Sequence, residues 1–202
     1  IAFFNQLSGI NAILGYAPRI LGMTGFDPGE SLFNASLITL VNLIFTLVGL
    51  RLIDKLGRRS LLYIGSFGYI VSLTVCAWAF HSYRAPFSDA ADAIALKNSA
   101  SSIVADISQL PEKYTSRVTS KNLSEPWVKE VASDSLKSAK EEAGFGSKLV
   151  LICILAFIAA HAIGQGAVIW VFISEIFPTA ARGFGQSVGC ATHWIFAAIL
   201  TL

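Results

Sequence analysis

The chain has 202 residues, of which 54% are hydrophobic and 14% charged, and its mean hydropathy is +0.62. About a quarter of the residues of an ordinary globular domain are charged. This composition excludes a typical water-soluble protein and indicates a membrane protein, so a lipid bilayer is its expected surrounding. The net charge of +2 gives no support to nucleic-acid binding, and no nucleic-acid partner is expected.

Five stretches of the chain contain no Asp, Glu, Lys or Arg. They are Ile1–Pro18, Leu32–Leu50, Leu61–Phe80, Leu149–Ser174 and Phe184–Leu202. A helix needs roughly 17–25 apolar residues to cross about 30 Å of hydrocarbon. We therefore predict an all-α membrane protein with three transmembrane helices in residues 1–80 and two in 148–202. Because the chain begins and ends inside apolar stretches, we expect it to be a fragment of a longer protein.

The turn between the second and third stretches sets the predicted orientation. It contains four basic residues, Arg51, Lys55, Arg58 and Arg59, and one acid, Asp54. Lysine and arginine are enriched in cytoplasmic loops, so this turn is expected to face the cytoplasm. Residues 81–147 then lie outside. We expect a multi-pass protein of the plasma (inner) membrane.

Residues 81–147 form a polar segment between the third and fourth stretches. Ile103, Ile107 and Leu110 have helical spacing before Pro111, and a second apolar set follows Pro126. The pattern predicts a small extracytoplasmic insertion of two or three short amphipathic helices. It is either a lid or partner-docking element or a tolerated, solvated insertion. Asn122-Leu123-Ser124 also fits the acceptor pattern for N-glycosylation.

The polar side chains inside the apolar stretches are mainly amides, indoles and imidazoles. They include Asn5, Gln6, Asn11, Asn42, His161, Gln165, Trp170, His193 and Trp194. An amide offers both a donor and an acceptor to a hydroxyl group, and an indole can stack on the apolar face of a sugar ring. These residue types suit a polyhydroxylated solute. Alternatively, the amides form hydrogen bonds between helices, each worth about 0.6 kcal/mol on average.

Several glycines and a proline lie where a span could unwind or bend. Gln6 and Asn11 would point about 140° apart on a regular helix, so they share a cavity only if the helix relaxes between them. Gly9 lies between them, Gly15 and Pro18 follow, and the fourth stretch contains Gly164 and Gly166. Broken helices near the membrane midplane are typical of secondary transporters, which bind substrate there.

Three segments carry a family resemblance. Residues 5–18 read NQLSGINAILGYAP, residues 54–59 read DKLGRR, and residues 170–183 read WVFISEIFPTAARG. In this order they resemble the seventh span, the turn after the eighth span, and the end of the tenth span of sugar porters in the major facilitator superfamily. The resemblance implies that the five helices correspond to spans 7–11 of a twelve-span major facilitator fold, with a helical extramembrane insertion. The N-terminal half of the same protein would be the missing partner.

The resemblance also implies roles for particular residues. The sugar-binding residues would be Asn5, Gln6, Asn11, Asn42, Trp170, His193 and Trp194. His193 stands where relatives commonly place Asn or Gln. A gating network of salt bridges would comprise Asp54, Arg58, Arg59, Glu175 and Arg182, although these charges could instead only anchor the helix ends.

The predicted function is transport of a monosaccharide, a hexose or a pentose, by alternating access. Either proton-coupled symport or facilitated diffusion is compatible with the sequence, so protons are a further candidate partner. A sugar sensor of the same fold that carries no flux is the alternative. The sequence contains no GxSG or HExxH motif, no metal-ligand spacing of Cys or His, and no Asp or Glu inside the apolar stretches, so we expect no enzyme, cofactor or metal.

Overall fold

The computed structural model describes residues 2–118 and 123–201, so Asn122 of the predicted glycosylation pattern lies outside the described residues. The described chain is helical and contains no strand. Its α-helices are α1 (Ala2–Leu7), α2 (Ile10–Met23), α3 (Pro28–Leu56), α4 (Arg58–Ser82), α5 (Arg84–Asn98), α6 (Ala100–Ala105), α7 (Glu125–His161), α8 (Ala167–Glu175) and α9 (Arg182–Thr201). A π-helical segment, Ala162–Gly166, connects α7 to α8.

Three helical stretches within the described residues are long and apolar enough to cross a membrane. They are Gly29–Leu56, Arg58–Ser82 and the continuous run Glu125–Glu175. The prediction of an all-α membrane protein is confirmed. The first predicted span is interrupted between α1 and α2. Polar residues and glycines lower the hydropathy of α9. The count of five spans therefore stays a prediction.

The chain divides into two compact units, and residues 2–18, 32–77 and 151–201 belong to the first. Small residues let its helices approach closely. A Cβ atom placed on Gly65 of α4 would lie 2.7 Å from the Cα of Gly164, and one on Gly68 would lie 2.8 Å from the Cβ of Ala160. Helices in membranes gain much of their association energy from such contacts. The π-helical segment therefore packs directly on α4.

The second unit contains Arg19–Ser31 and Trp78–Val150, and its polar segment has a hydrophobic core of its own. Leu96, Ile103, Leu110, Tyr114 and Val128 are among the buried side chains of this core. Such a core shows that the polar segment is folded.

Two details of this segment differ from the sequence pattern. Ile107 is 41% exposed because α6 ends at Ala105, and Ile107 begins a 3-10 turn that loses the helical spacing. The helix that starts near Pro126 is also not short. It continues through Gly144 and Gly146 into the fourth apolar stretch as the 37-residue helix α7, since neither glycine adopts a positive φ.

The turn between α2 and α3 is attached to α7 by polar contacts. The Lys140 ammonium lies 2.8 Å from the Asp27 carboxylate and 3.3 Å from that of Glu30. The Ser147 hydroxyl donates a hydrogen bond of 2.5 Å to the Thr24 carbonyl oxygen. These contacts join residues far apart in the sequence and fix the turn within the second unit.

Candidate functional site

The first apolar stretch is broken at Ser8 and Gly9, and this break forms the site. Gly9 has a φ of 78°, a left-handed conformation that glycine adopts without steric cost. The Ser8 hydroxyl donates to the Asn5 carbonyl oxygen at 2.6 Å, which satisfies one of the carbonyl groups left free at the end of α1. A new helix then begins at Ile10.

The break brings three predicted site residues together. The Asn11 amide nitrogen donates a hydrogen bond of 2.7 Å to Gln6 Oε1. The Gln6 amide nitrogen lies 2.9 Å from both ring nitrogens of His193 on α9. A regular helix would hold Gln6 and Asn11 on different faces. The relaxation at Gly9 thus produces a row of hydrogen-bonding groups that joins α2, α1 and α9.

Aromatic rings surround His193. The ring centroids of Trp170 on α8 and His193 are 4.8 Å apart, and Trp194 packs edge-on against His193 at 5.3 Å. Trp170 is 36% exposed and Trp194 is 65% exposed, whereas Gln6 is only 2% exposed. The site therefore combines a buried amide with indole surfaces that remain accessible. The apolar stretches that build it contain no Asp, Glu, Lys or Arg, so its polar groups are mainly amides, imidazoles and indoles.

Two further polar contacts of the first unit involve the π-helical segment and the end of α7. Gln165 donates through its amide nitrogen to the hydroxyl of Tyr69 on α4 at 3.1 Å. His161, at the end of α7, lies 3.4 Å from the Ser8 hydroxyl through its Nδ1. The sequence analysis assigned no role to Ser8 or Tyr69. A signal was present for Tyr69, because it directly follows Gly68 in a stretch whose glycines mark a close helix contact.

Other predicted residues lie apart from this row. Asn42 is half-buried on α3, and its side chain makes no hydrogen bond to another described residue. Asn5 is 2% exposed, and its Oδ1 has no partner among the described residues. Gly15 and Pro18 lie within the continuous helix α2, whereas Gly164 and Gly166 lie within the π-helical segment.

The predicted gating charges are only partly paired. Arg58, at the start of α4, forms an ion pair with Glu175, at the end of α8. Arg59 instead contacts the Tyr63 hydroxyl at 3.3 Å, and Asp54 and Arg182 form no ion pair within residues 2–118 and 123–201. A pocket of about 650 Å³, partly lined by Leu56, opens beside the ion pair.

Comparison with known proteins identifies the family. The profile described as "Sugar (and other) transporter" matches residues 1–96 and 133–202. The chain belongs to this transporter family. The resemblance found in the sequence is confirmed, and the family assignment supports a transport protein rather than an enzyme. The matched residues include the broken helix and the row of hydrogen-bonding groups, but residues 97–132 of the polar segment fall outside the match.

Several curated relatives in this transporter family match nearly the whole chain. The glucose facilitated diffusion protein of Zymomonas mobilis and the D-xylose-proton symporter of Escherichia coli are each 25% identical over 96% of the chain. The arabinose-proton symporter of Bacillus subtilis is 25% identical over 98% of it. The chain spans 27–29% of the length of these three relatives. No solved structure gives a significant match.

Proposed function

We propose that the protein of which this chain is a part transports a monosaccharide across the plasma (inner) membrane by alternating access. The observation that carries the proposal is the row Asn11–Gln6–His193 beside Trp170, formed by a broken helix in a chain of the sugar transporter family. Amide and imidazole groups can exchange hydrogen bonds with hydroxyl groups, and an indole face can stack on a pyranose ring. A hexose or pentose matches both kinds of surface.

The proposed sugar site draws on the predicted residues of this unit. They are Asn5, Gln6, Asn11, Asn42, Trp170, His193 and Trp194. In this proposal the chain crosses the membrane five times. The five spans are α1 with α2, α3, α4, the run from α7 to α8, and α9. The polar segment 81–147 lies outside the membrane. The N-terminal half of the same protein supplies the other wall of the cavity, around which the two halves rock.

The ion pair between Arg58 and Glu175 is proposed as part of a gate. Both side chains are about half exposed, so water and salt screen their attraction and the pair can be broken and remade at low cost. Asp54, Arg59 and Arg182 lie near the same helix ends in the sequence and are proposed as exchange partners in the other conformation. A contact of this strength suits a device that must open once in every cycle.

An uptake experiment distinguishes transport driven by a proton gradient from facilitated diffusion. Among the relatives, one is named a facilitated diffusion protein and others are named proton symporters. We would measure uptake of labelled hexoses and pentoses by the intact protein in a transporter-deficient host, with and without a protonophore. Uptake that stops when the proton gradient collapses indicates symport, whereas uptake that persists indicates facilitated diffusion.

The same assay tests the site. Trp170→Ala should raise the KM for the sugar because it removes the stacking surface, by about tenfold if the ring covers roughly 60 Å² of apolar sugar surface. Trp78→Ala is the matched control, because Trp78 is 56% exposed on α4 and lies outside the site. Sugar binding without saturable uptake by the wild-type protein would reject transport in favour of a sensor.

A further inference from the structure

We propose that the polar segment carries a second ligand site, a cavity that binds a small acidic sugar through Lys97 and Lys137. The cavity lies within the second unit and has a volume of about 400 Å³, which is in the range of small-molecule sites. None of the residues of the proposed transport site is among the described residues that line it. The inference therefore goes beyond the proposed function and does not depend on it.

Two helices and one turn build the cavity. Lys97 belongs to the last turn of α5, and Asp27 to the turn between α2 and α3. One face of α7 supplies the other lining residues, which recur at a spacing of three and four positions: Ser133, Leu136, Lys137, Lys140 and Glu141. Leu136 is buried in a cluster with Ala90 and Ala93 of α5. This packing holds α5 and α7 together and fixes the lining residues relative to one another.

The three lysines of the cavity differ in their partners. The Lys140 ammonium lies 2.8 Å from the Asp27 carboxylate and 3.3 Å from that of Glu30, so its charge is engaged. Lys97 and Lys137 are exposed and form no ion pair with another described residue. An ammonium group donates up to three hydrogen bonds, and those to an anion are the strong ones. Two charged donors are thus available to an anionic ligand.

The cavity also contains acceptors for hydroxyl groups. Glu141 forms no ion pair with another described residue, and its carboxylate only accepts. The Ser133 hydroxyl donates to the Lys129 carbonyl oxygen at 2.7 Å and can still accept. A bare anion would leave both acceptors unused. A sugar acid presents its carboxylate to the lysines and its hydroxyl groups to the acceptors, so it matches both sets.

The acidic group distinguishes this ligand from a neutral sugar. No aromatic side chain is among the described residues that line the cavity, so a neutral sugar would find no surface on which to stack. The carboxylate compensates for this lack, because its hydrogen bonds to ammonium groups are stronger than those between neutral groups.

The position of the cavity along α7 favours a dissolved ligand over a lipid headgroup. Lys140 lies nine residues before Leu149, where the fourth apolar stretch begins, and Lys137 lies further from it. Nine residues of helix extend about 14 Å. The headgroup layer adds only roughly 5–8 Å to each side of the hydrocarbon. In the proposed membrane arrangement the cavity therefore lies beyond the headgroups.

Calorimetric titration of the intact protein in detergent with D-glucuronate at low salt tests the site. We expect saturable binding, and Lys97→Met and Lys137→Met should each raise the Kd about fivefold because each removes one charged donor. Lys129→Met is the matched control, since Lys129 lies on the same helix, pairs with Glu125 at 2.5 Å and does not line the cavity. It should leave the Kd within about twofold of the wild type.

Two further variants separate this site from the others. Lys137→Arg keeps the charge and should retain binding, so a loss in Lys137→Met with the fold intact is assigned to the missing ammonium group. Trp170→Ala should leave the Kd unchanged, because Trp170 belongs to the proposed transport site. A Kd that responds to Trp170→Ala but not to the lysine variants would place the glucuronate in the transport site and overturn the inference.

Other results would also overturn it. These are the absence of saturable glucuronate binding, an equal loss of affinity in Lys129→Met and Lys137→Met, and displacement of glucuronate by D-glucose at the same concentration. D-glucose has the same ring without the carboxylate, so its success would show that the lysines are not used. Absence of sugar uptake by the wild-type protein would reject the proposed function and leave this test unaffected.

Discussion

At the scale of single residues, Asp106 caps the 3-10 turn Ile107–Gln109 of the polar segment. Its carboxylate accepts hydrogen bonds from the Ser108 hydroxyl at 2.7 Å and from the Ser108 backbone N–H at 3.0 Å. The hydroxyl hydrogen bond, followed by that of the backbone, lowers the pKa of Asp106 from its usual value of 3.8. The charged carboxylate is therefore the form that the folded segment prefers.

This shift predicts a pH dependence of definite sign. Because the pKa is lower in the folded segment than in the unfolded chain, the contribution of Asp106 to stability is present above pH 3.8 and is lost as the pH falls through the folded value. Ser108→Ala removes the hydroxyl donor, so we expect the pKa of Asp106 to rise towards 3.8. Titration of the ¹³C-labelled carboxyl group measures it, and an unchanged midpoint would contradict the role of Ser108.

At the scale of elements, the contact between α4 and the π-helical segment depends on the absence of side chains. A Cβ atom on Gly65 would lie 2.7 Å from the Gly164 Cα and 2.8 Å from the Ala160 carbonyl oxygen, and backbone atoms cannot move aside like the end of a flexible side chain. A larger residue would have to push the two elements apart. The Gln165–Tyr69 hydrogen bond spans the same contact and would be stretched with it.

We therefore predict that Gly65→Ala lowers the stability of the protein. The clash should cost about 1–3 kcal/mol, and the gain in helix propensity of roughly 0.5–1 kcal/mol offsets only part of it. Gly144→Ala is the matched control, because Gly144 also lies in a helix interior and a Cβ atom there has no neighbour within 4 Å. Thermal unfolding in detergent provides the measurement. Equal melting temperatures for the two variants would show that the contact tolerates a side chain.

The sequence predicted some elements well because their signals are local. The sequence marks Gly9 as a possible break because it lies between Gln6 and Asn11, and in the structure α1 ends and α2 begins on either side of Ser8 and Gly9. The length of α7 did not follow, because Gly144 and Gly146 can either end a helix or continue it, and packing decides between the two. Pro126 is the second residue of α7, where a proline is tolerated, so it marks the start of the helix but says nothing of its end.

The roles of single residues in the candidate site were harder to predict from the sequence. The residue types Gln6, Asn11, His193 and Trp170 could be read as partners of a polyhydroxylated solute. The burial of Gln6 could not, since it depends on α9, whose His193 is 187 positions away in the chain. The partners of the charged residues were equally inaccessible. The order of the sequence places Arg58 and Arg59 in one turn, but only the structure pairs Arg58 with Glu175 and places Arg59 against Tyr63.

At the scale of the whole molecule, the proposed transport cycle alternates between an inward-open and an outward-open state. We expect the ion pair of Arg58 and Glu175 to bias the equilibrium between these two states. Arg58→Ala removes a half-exposed ion pair, whose attraction is weakened by water and salt. We predict a shift of up to about fivefold towards the inward-open state, because that state no longer has to break the contact.

Labelling of single cysteines in the inner cavity of the intact protein measures this shift. Lys55→Ala is the matched control, since Lys55 carries the same charge in the same turn, is exposed, and forms no ion pair with another described residue. If both variants changed the labelling rate equally, the effect would come from the charge of the turn and not from the ion pair with Glu175.

The continuity of α7 has a practical consequence. Each backbone N–H from Lys129 to His161 has an acceptor four residues earlier in the same helix. Hydrogen–deuterium exchange should therefore record one uninterrupted stretch of slowly exchanging amides that runs across Gly144 and Gly146.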